Sequence, residues 1–237
     1  METRSLTIKI AHRVVDNEIN TKEKLLRLLV DLQGYGFQGV EFDVRQTNDQ
    51  QFVVFHDARF PQIKQPIRKY SLFELRKEAE EKDSPFLTLE EVLRTIPISF
   101  LVQVDIKDKR IDVKRLVKVL QQYRAPDRII VSSFYPQVIL QLLRHGVKYR
   151  WLITSISRRR NPIHMFYAIM PTMIALKCQA TGIAPHQCLV GKNLVLKAHK
   201  SGLTVATWTV NNPKIIKRLE EYKIDYIVAD YRIYKTK

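Results

Sequence analysis

Cysteine is scarce in this chain: Cys178 and Cys188 are the only two in 237 residues. Two thiols build no disulfide framework, so a reducing compartment is expected and stability must come from a packed core. Long apolar runs are missing too. The best candidate, Pro162 to Met170, is stopped by Pro171 and falls short of the roughly 20 residues that cross a bilayer. The N-terminus, Met-Glu-Thr-Arg-Ser-Leu-Thr-Ile-Lys, lacks the apolar segment of a secretory signal, and a cytoplasmic protein is the expectation. There is no low-complexity tract and nothing like a nucleic-acid-binding motif, which disfavours nucleic acid as a partner. Acidic residues are in deficit, 24 against 40 basic ones, for a net charge of +16. That charge attracts phosphate esters, anionic lipid surfaces or nucleic acid at long range, and does not by itself choose among them.

What is present is enough for one substantial core. With 45% apolar residues, the length suits a single α/β barrel domain over residues 1–237. Short β-branched runs alternate with helical patterns, the signature of repeated βα units. Strands are predicted at Leu6 to Ala11, Gly39 to Val44, Phe100 to Ile106, Arg128 to Ser133, Tyr149 to Thr154, Thr172 to Leu176, Leu203 to Thr209 and Ile224 to Ala229. Helices are predicted at Lys22 to Gln33 (N-cap Thr21, stop at Gly34), Ser71 to Glu81, after Thr88 with Glu91 completing a capping box, Asp112 to Tyr123, Pro136 to Arg144, Asn193 to Lys200 and Pro213 to Tyr222. About eight strands close a parallel TIM (β/α)8 barrel. Phe52 to Phe55 is an extra run, read as a short excursion at the mouth.

Chemistry concentrates where such a barrel would put it. Glu41 and Asp43 lie two apart in a strand whose other face carries Val40, Phe42 and Val44, so both acids point the same way. Gln103, Asp105 and Lys107 share one face of a later strand. His12-Arg13 follows the first strand and His56-Asp57 the Phe52 run. Barrel enzymes gather functional side chains at the C-terminal strand ends, and the co-location of these residues argues for a site more strongly than any one of them.

These residues also carry a resemblance. Ile10-Ala-His12-Arg13, Val40-Glu41-Phe-Asp43-Val44-Arg45-Gln-Thr47, Val53-Val-Phe-His56-Asp57, Val104-Asp105-Ile-Lys107, Val131-Ser-Ser-Phe134, Ala198-His199-Lys-Ser-Gly202, Trp208-Thr-Val-Asn211 and Asp225-Tyr-Ile-Val-Ala-Asp230 resemble, in order, the motifs of the glycerophosphodiester phosphodiesterase family. The resemblance implies a TIM barrel that hydrolyses a small-molecule glycerophosphodiester with a divalent metal, Mg²⁺ or Ca²⁺. It places acid and base roles on His12 and His56 and metal binding on Glu41, Asp43 and Asp105. Arg13, Lys107, Phe134 and Trp208 are the expected substrate contacts. Three departures stand out: Val14 where Gly usually follows His-Arg, Ile19 in a usual Pro-Glu-Asn-Thr, and Asp105 for the commoner Glu. The shorter acid is expected to shift the ion rather than remove it, and Val14 and Ile19 to reshape the pocket near His12.

Charge counting supports the reading. Three carboxylates with one divalent ion keep a single negative charge, which repels a phosphodiester; Arg13 and Lys107 turn the sum to a single positive one. Blander readings apply elsewhere. His145, His164, His186 and His199 are read as surface or structural, and Asp49 and Asp57 as turn formers. Two alternatives stay open: phospholipase D-like cleavage of lysophospholipid head groups, signalled by a wide apolar entrance, and a non-catalytic anion-binding barrel. Arg158-Arg159-Arg160 with the apolar residues after it reads first as an ordinary barrel helix and second as a peripheral contact with anionic membrane.

Overall fold

The computed structural model describes residues 7–60, 63–154 and 170–234. Eight parallel strands, β1 (Ile8–Ala11), β2 (Gly39–Gln46), β4 (Leu101–Ile106), β5 (Ile129–Ser133), β6 (Tyr149–Thr154), β7 (Gly182–Pro185), β8 (Thr204–Thr207) and β9 (Tyr226–Ala229), pair in sequence order. β1 pairs with both β9 and β2, which closes the barrel. The extra run is β3 (Phe52–Val54), a short antiparallel strand on the end of β2, with Val44 opposite Val54.

The helices follow from their caps and stripes. In α1 (Lys22–Gly34) Thr21 accepts from the Lys24 N–H, and Leu25, Leu28, Leu29 and Leu32 form the buried stripe. Each such leucine contributes about 1.5–3 kcal/mol by leaving water. Gly34 is the helix's last residue; the left-handed turn that leaves it falls at Gly36, φ +77°. Capping boxes open α2 (Leu72–Glu81, Ser71 with Glu74) and α3 (Leu89–Thr95, Thr88 with Glu91). α4 (Val113–Tyr123), α5 (Pro136–Arg144), α6 (Pro171–Lys177), α7 (Lys192–Lys200) and α8 (Pro213–Glu221) complete the helices described.

One predicted strand is corrected. Thr172 to Leu176 lies inside helix α6, because Pro171 supplies a preset φ and needs no N–H in the first helical turn. The seventh strand is Gly-Ile-Ala-Pro at 182–185, too short and too poor in β-branched residues to announce itself. Its glycine is a packing requirement: a Cβ at Gly182 would come within 2.7 Å of Trp151 Cδ1, and Trp151 is buried in the barrel's inner core with Ile10, Leu101, Ile130 and Val228. The outer faces of β2 and β4, with Val40, Phe42, Val44, Val102, Val104 and Ile106, pack in the main core between barrel and helices. Strand alternation then turns Glu41, Asp43, Gln103 and Asp105 inward.

Candidate active site

Strands β2 and β4 are in register with Glu41 beside Gln103 and Asp43 beside Asp105. All three acids are buried, at 2–3% exposure, and one oxygen of each lies within 4.8 Å of the other two. Lys107, just past β4, puts Nζ 2.8 Å from Asp43 Oδ1 and in contact with the Asp105 carboxylate. Arg13 enters in two ways. Its backbone N–H donates to Glu41 Oε2 at 2.9 Å, and its Nε stands 3.4 Å from Asp43 Oδ2.

The two imidazoles come from different elements. His12 follows β1, with Nε2 3.9 Å from Glu41 Oε2 and Nδ1 3.5 Å from the Thr209 hydroxyl. His56 follows β3, and its Nδ1 lies 2.8 Å from Asp57 Oδ1. A carboxylate can only accept there, so Nδ1 carries the proton and Nε2 is left as the reactive nitrogen. The His56 carbonyl accepts from Arg45 Nε (3.1 Å) and Nη2 (2.7 Å), while Arg45 Nη1 pairs with Asp108 at 2.7 Å. Asp108 also accepts from the Gln46 N–H at the end of β2. His56 is thus tied back to the rigid strand.

These groups line one cavity of about 360 Å³, walled on its apolar side by Phe134, Ile153, Trp208 and Val228. Trp208 meets Phe134 edge to face at 5.8 Å and donates Nε1–H to the Ala184 carbonyl at 2.8 Å. Every site residue named from the sequence lies at this cavity except Asp43, which sits behind it in contact with Lys107 and Arg13.

Burial and charge set the protonation states. Desolvation, then Asp43 and Asp105, hold the Glu41 carboxyl well above its ordinary range. Asp105 is raised by burial, against the pull of Lys107. Asp43 is also desolvated, yet Lys107, His56 and Arg13 outweigh that and lower it. Burial alone would lower Lys107, but Asp105, Asp43 and Glu41 push it up and keep it charged. His12 is lowered to about 4 by burial and then by Arg13; His56 is lowered by burial against the attraction of Asp43. Both imidazoles are neutral at pH 7, as a proton acceptor must be.

The acid cluster fits a divalent cation. Two oxygens on opposite sides of one ion are about 4.2 Å apart for Mg²⁺ and about 5 Å for Ca²⁺, so three oxygens that all lie within 4.8 Å of one another are close enough to share one ion. Both Asp43 oxygens are buried without a hydrogen bond, held only by ion pairs, and burial beside two other acids raises the Glu41 carboxyl, a charge load that a cation would relieve.

Several supporting residues are barely marked in the sequence. Arg45 and Thr209 stand there only within motifs, Asp57 has the character of a turn former, and Asp108 carries no signal. Only the adjacency of His56 and Asp57 could have suggested a pair. Asp49 does shape its turn, accepting from Thr47 Oγ1 at 2.6 Å and the Leu72 N–H at 3.1 Å. His199 is structural, its Nε2 2.8 Å from Asp225 Oδ2. Val14 is fully buried in the outer core with Ile19 packed against that core, and neither lines the cavity. Arg158 to Arg160 and His164 lie outside the described residues.

A closed (β/α)8 barrel with acids, imidazoles and cationic side chains converging at the C-terminal strand ends defines a barrel enzyme whose centre suits an anionic substrate and carries an acid cluster that could hold a cation. The sequence model of the glycerophosphoryl diester phosphodiesterase family matches residues 33–232, and the chain belongs to that family of phosphoric diester hydrolases. It is 25% identical over 245 aligned residues to the glycerophosphodiester phosphodiesterase of Caldanaerobacter subterraneus subsp. tengcongensis, with 94% of each chain covered. Among solved structures, a glycerophosphodiester phosphodiesterase from Parabacteroides distasonis superposes with a TM-score of 0.74 at 20% identity, covering 99% of this chain and 98% of the other. An Oleispira antarctica phosphodiesterase, solved with the product sn-glycerol-3-phosphate, gives 0.73 at 20% identity, covering 98% and 96%. At these identities the structural likeness speaks for the fold.

Proposed function

We propose that this chain hydrolyses glycerophosphodiesters to glycerol 3-phosphate and an alcohol in a divalent-cation-dependent reaction. The observation that carries the reading is the convergence of Glu41, Asp105, two cationic side chains and two imidazoles on one cavity, with Asp43 directly behind it completing a cluster of three buried carboxylates. Glu41, Asp43 and Asp105 would hold Mg²⁺ or Ca²⁺, which supplies Lewis-acid stabilisation of charge developing on phosphoryl oxygens. Lys107 and Arg13 add positive charge beside the same oxygens, and water exclusion strengthens that attraction. Of the two histidines, one takes a proton from the attacking hydroxyl or water, and the other, which must first take up a proton from solvent to become imidazolium, gives it to the departing alkoxide. His56 is oriented for this by Asp57 on Nδ1 and by Arg45 on its carbonyl. Phe134 and Trp208 would wall the organic part of the substrate.

The test follows glycerophosphocholine by phosphorus NMR, with and without chelator. Glycerol 3-phosphate should form, stop with chelator and resume on adding back Mg²⁺ or Ca²⁺. Glu41→Gln and Asp105→Asn should each abolish turnover with the fold intact, since both side chains sit at the barrel mouth. Normal turnover of Glu41→Gln in chelator would sink the proposal. The apolar wall favours one companion substrate, a lysophospholipid, tested in the same assay as release of free choline from lysophosphatidylcholine.

A further inference from the structure

Gln103 lines the cavity with Glu41 and Asp105, in front of Asp43, but is used by none of the steps above. It is 4% exposed and sits beside Glu41 on the neighbouring strand. Its Nε2–H donates to Ser132 Oγ at 3.1 Å, and that hydroxyl lies 3.5 Å from both Asp105 Oδ1 and the Val104 carbonyl. The amide is therefore pinned by its nitrogen end to the β4–β5 wall. Its other end, Oε1, is buried and accepts no hydrogen bond. An amide oxygen kept from water without a partner is unfavourable, and a bound group should satisfy it.

A substrate hydroxyl, a lone water or a cation could do so. The register favours the cation. Glu41, Asp43, Gln103 and Asp105 form a two-by-two grid across β2 and β4, with the long side chains in the deeper row and the short ones nearer the mouth. Glutamine and glutamate are equal in length, and Glu41, rooted in the deeper row, does bring a carboxylate oxygen within 4.8 Å of those of Asp43 and Asp105. Gln103 starts from the same row. Substrate arrives from the strand ends, where His12, Arg13 and His56 stand, whereas Gln103 is rooted two residues further in than Asp105. Charge agrees: a cluster already holding three carboxylates gains an oxygen from an amide without gaining a fourth negative charge.

We propose that Gln103 Oε1 is a fourth protein oxygen of the divalent-cation centre, a neutral donor beside Glu41, Asp43 and Asp105. The inference rests on the cation reading above. It also has a consequence for ion choice, because Ca²⁺ takes amide carbonyls into sets of six to eight oxygens, whereas Mg²⁺ keeps several waters. Ser132 is the positioning residue, holding the amide so that its oxygen and not its nitrogen faces the acids.

Terbium(III), a luminescent ion with calcium's preference for oxygen, provides a readout independent of activity. Its affinity is measured by titration, and its bound waters are counted from luminescence lifetimes in H₂O and D₂O. Gln103→Leu should weaken binding on the order of tenfold and raise the number of bound waters. Gln103→Glu, which keeps an oxygen at the same reach, should retain the wild-type water count. Ser132→Ala should weaken binding less than Gln103→Leu. If Gln103→Leu fails to fold, judged by circular dichroism in chelator, Gln103→Met replaces it. Wild-type affinity and water count in the leucine or methionine variant would overturn the inference while leaving the cation reading in place. Wild-type terbium binding by Asp105→Asn would instead overturn the cation reading, and this inference with it.

Discussion

The two histidines differ in what holds them, and the difference is measurable. His12 is enclosed, lowered to about 4 by burial and Arg13, with only long contacts to the Thr209 hydroxyl and Glu41 Oε2. His56 is half-exposed and fixed from two sides, by Asp57 on the ring and Arg45 on the backbone. His12→Asn and His56→Asn should each cost on the order of a hundredfold in kcat, the scale of a positioned acid or base. Loss at only one of them would make the other structural. Arg45→Met leaves the His56 ring in place but frees its carbonyl, and should lower kcat about tenfold with little change in KM, as expected of misplacement near 1 Å or less. A rise in KM alone would show that Arg45 holds substrate and not His56.

At the level of elements, β7 is the least obvious strand and the least tolerant. Gly182 lies between Trp151 and Thr204, pairing with both neighbouring strands. Adding a methyl there forces the Trp151 indole and the Thr204 hydroxyl to move. Gly182→Ala should destabilise the protein by about 1–3 kcal/mol, the usual cost of overpacking a filled core. A thermal melt reads this directly, and an unchanged melting temperature would mean that Trp151 has free space to retreat into. The same crowding explains why the strand was illegible: a glycine and a proline in four residues are poor strand formers, chosen here by the shape of the barrel interior and not by local propensity.

For the whole molecule, the cation site couples to pH. Glu41 is raised from its ordinary 4.5 by burial and by its two acidic neighbours. Without a cation, the folded state therefore holds that proton more tightly than the unfolded chain does. Stability falls as pH climbs from 4.5 towards the raised value. A divalent ion favours the ionised carboxylate, so binding releases the proton and relieves the cost. The rise in melting temperature on adding Ca²⁺ should be larger at pH 8 than at pH 5.5; equal rises would show that no proton leaves. The +16 charge invites a second test at this scale. No helix among the described residues is long and apolar enough to cross a membrane, but Met170 and Leu176 are exposed at the start of and within α6, ten and sixteen residues after Arg160 in sequence. If that stretch contacts anionic lipid, the protein should sediment with anionic vesicles, not neutral ones, and less so in high salt or after Arg158, Arg159 and Arg160 are changed to Gln. Equal sedimentation of the triple variant would reject the contact.

The sequence by itself determined the barrel and the site's charged members. Alternation on β2 fixed which face Glu41 and Asp43 share, because strand geometry is local and its period is two. The caps at Thr21 and Thr88 were legible for the same reason: a hydroxyl reaching an N–H three residues on needs no distant partner. Tertiary structure decided the rest. Arg45 meets Asp108 across 63 residues, Gln103 meets Ser132 across 29, and Thr209 meets His12 across 197. Such pairs exist only once the barrel closes β1 onto β2 and sets β2 against β4, and that closure gives Asp43 beside Asp105 and Gln103 beside Glu41 their meaning.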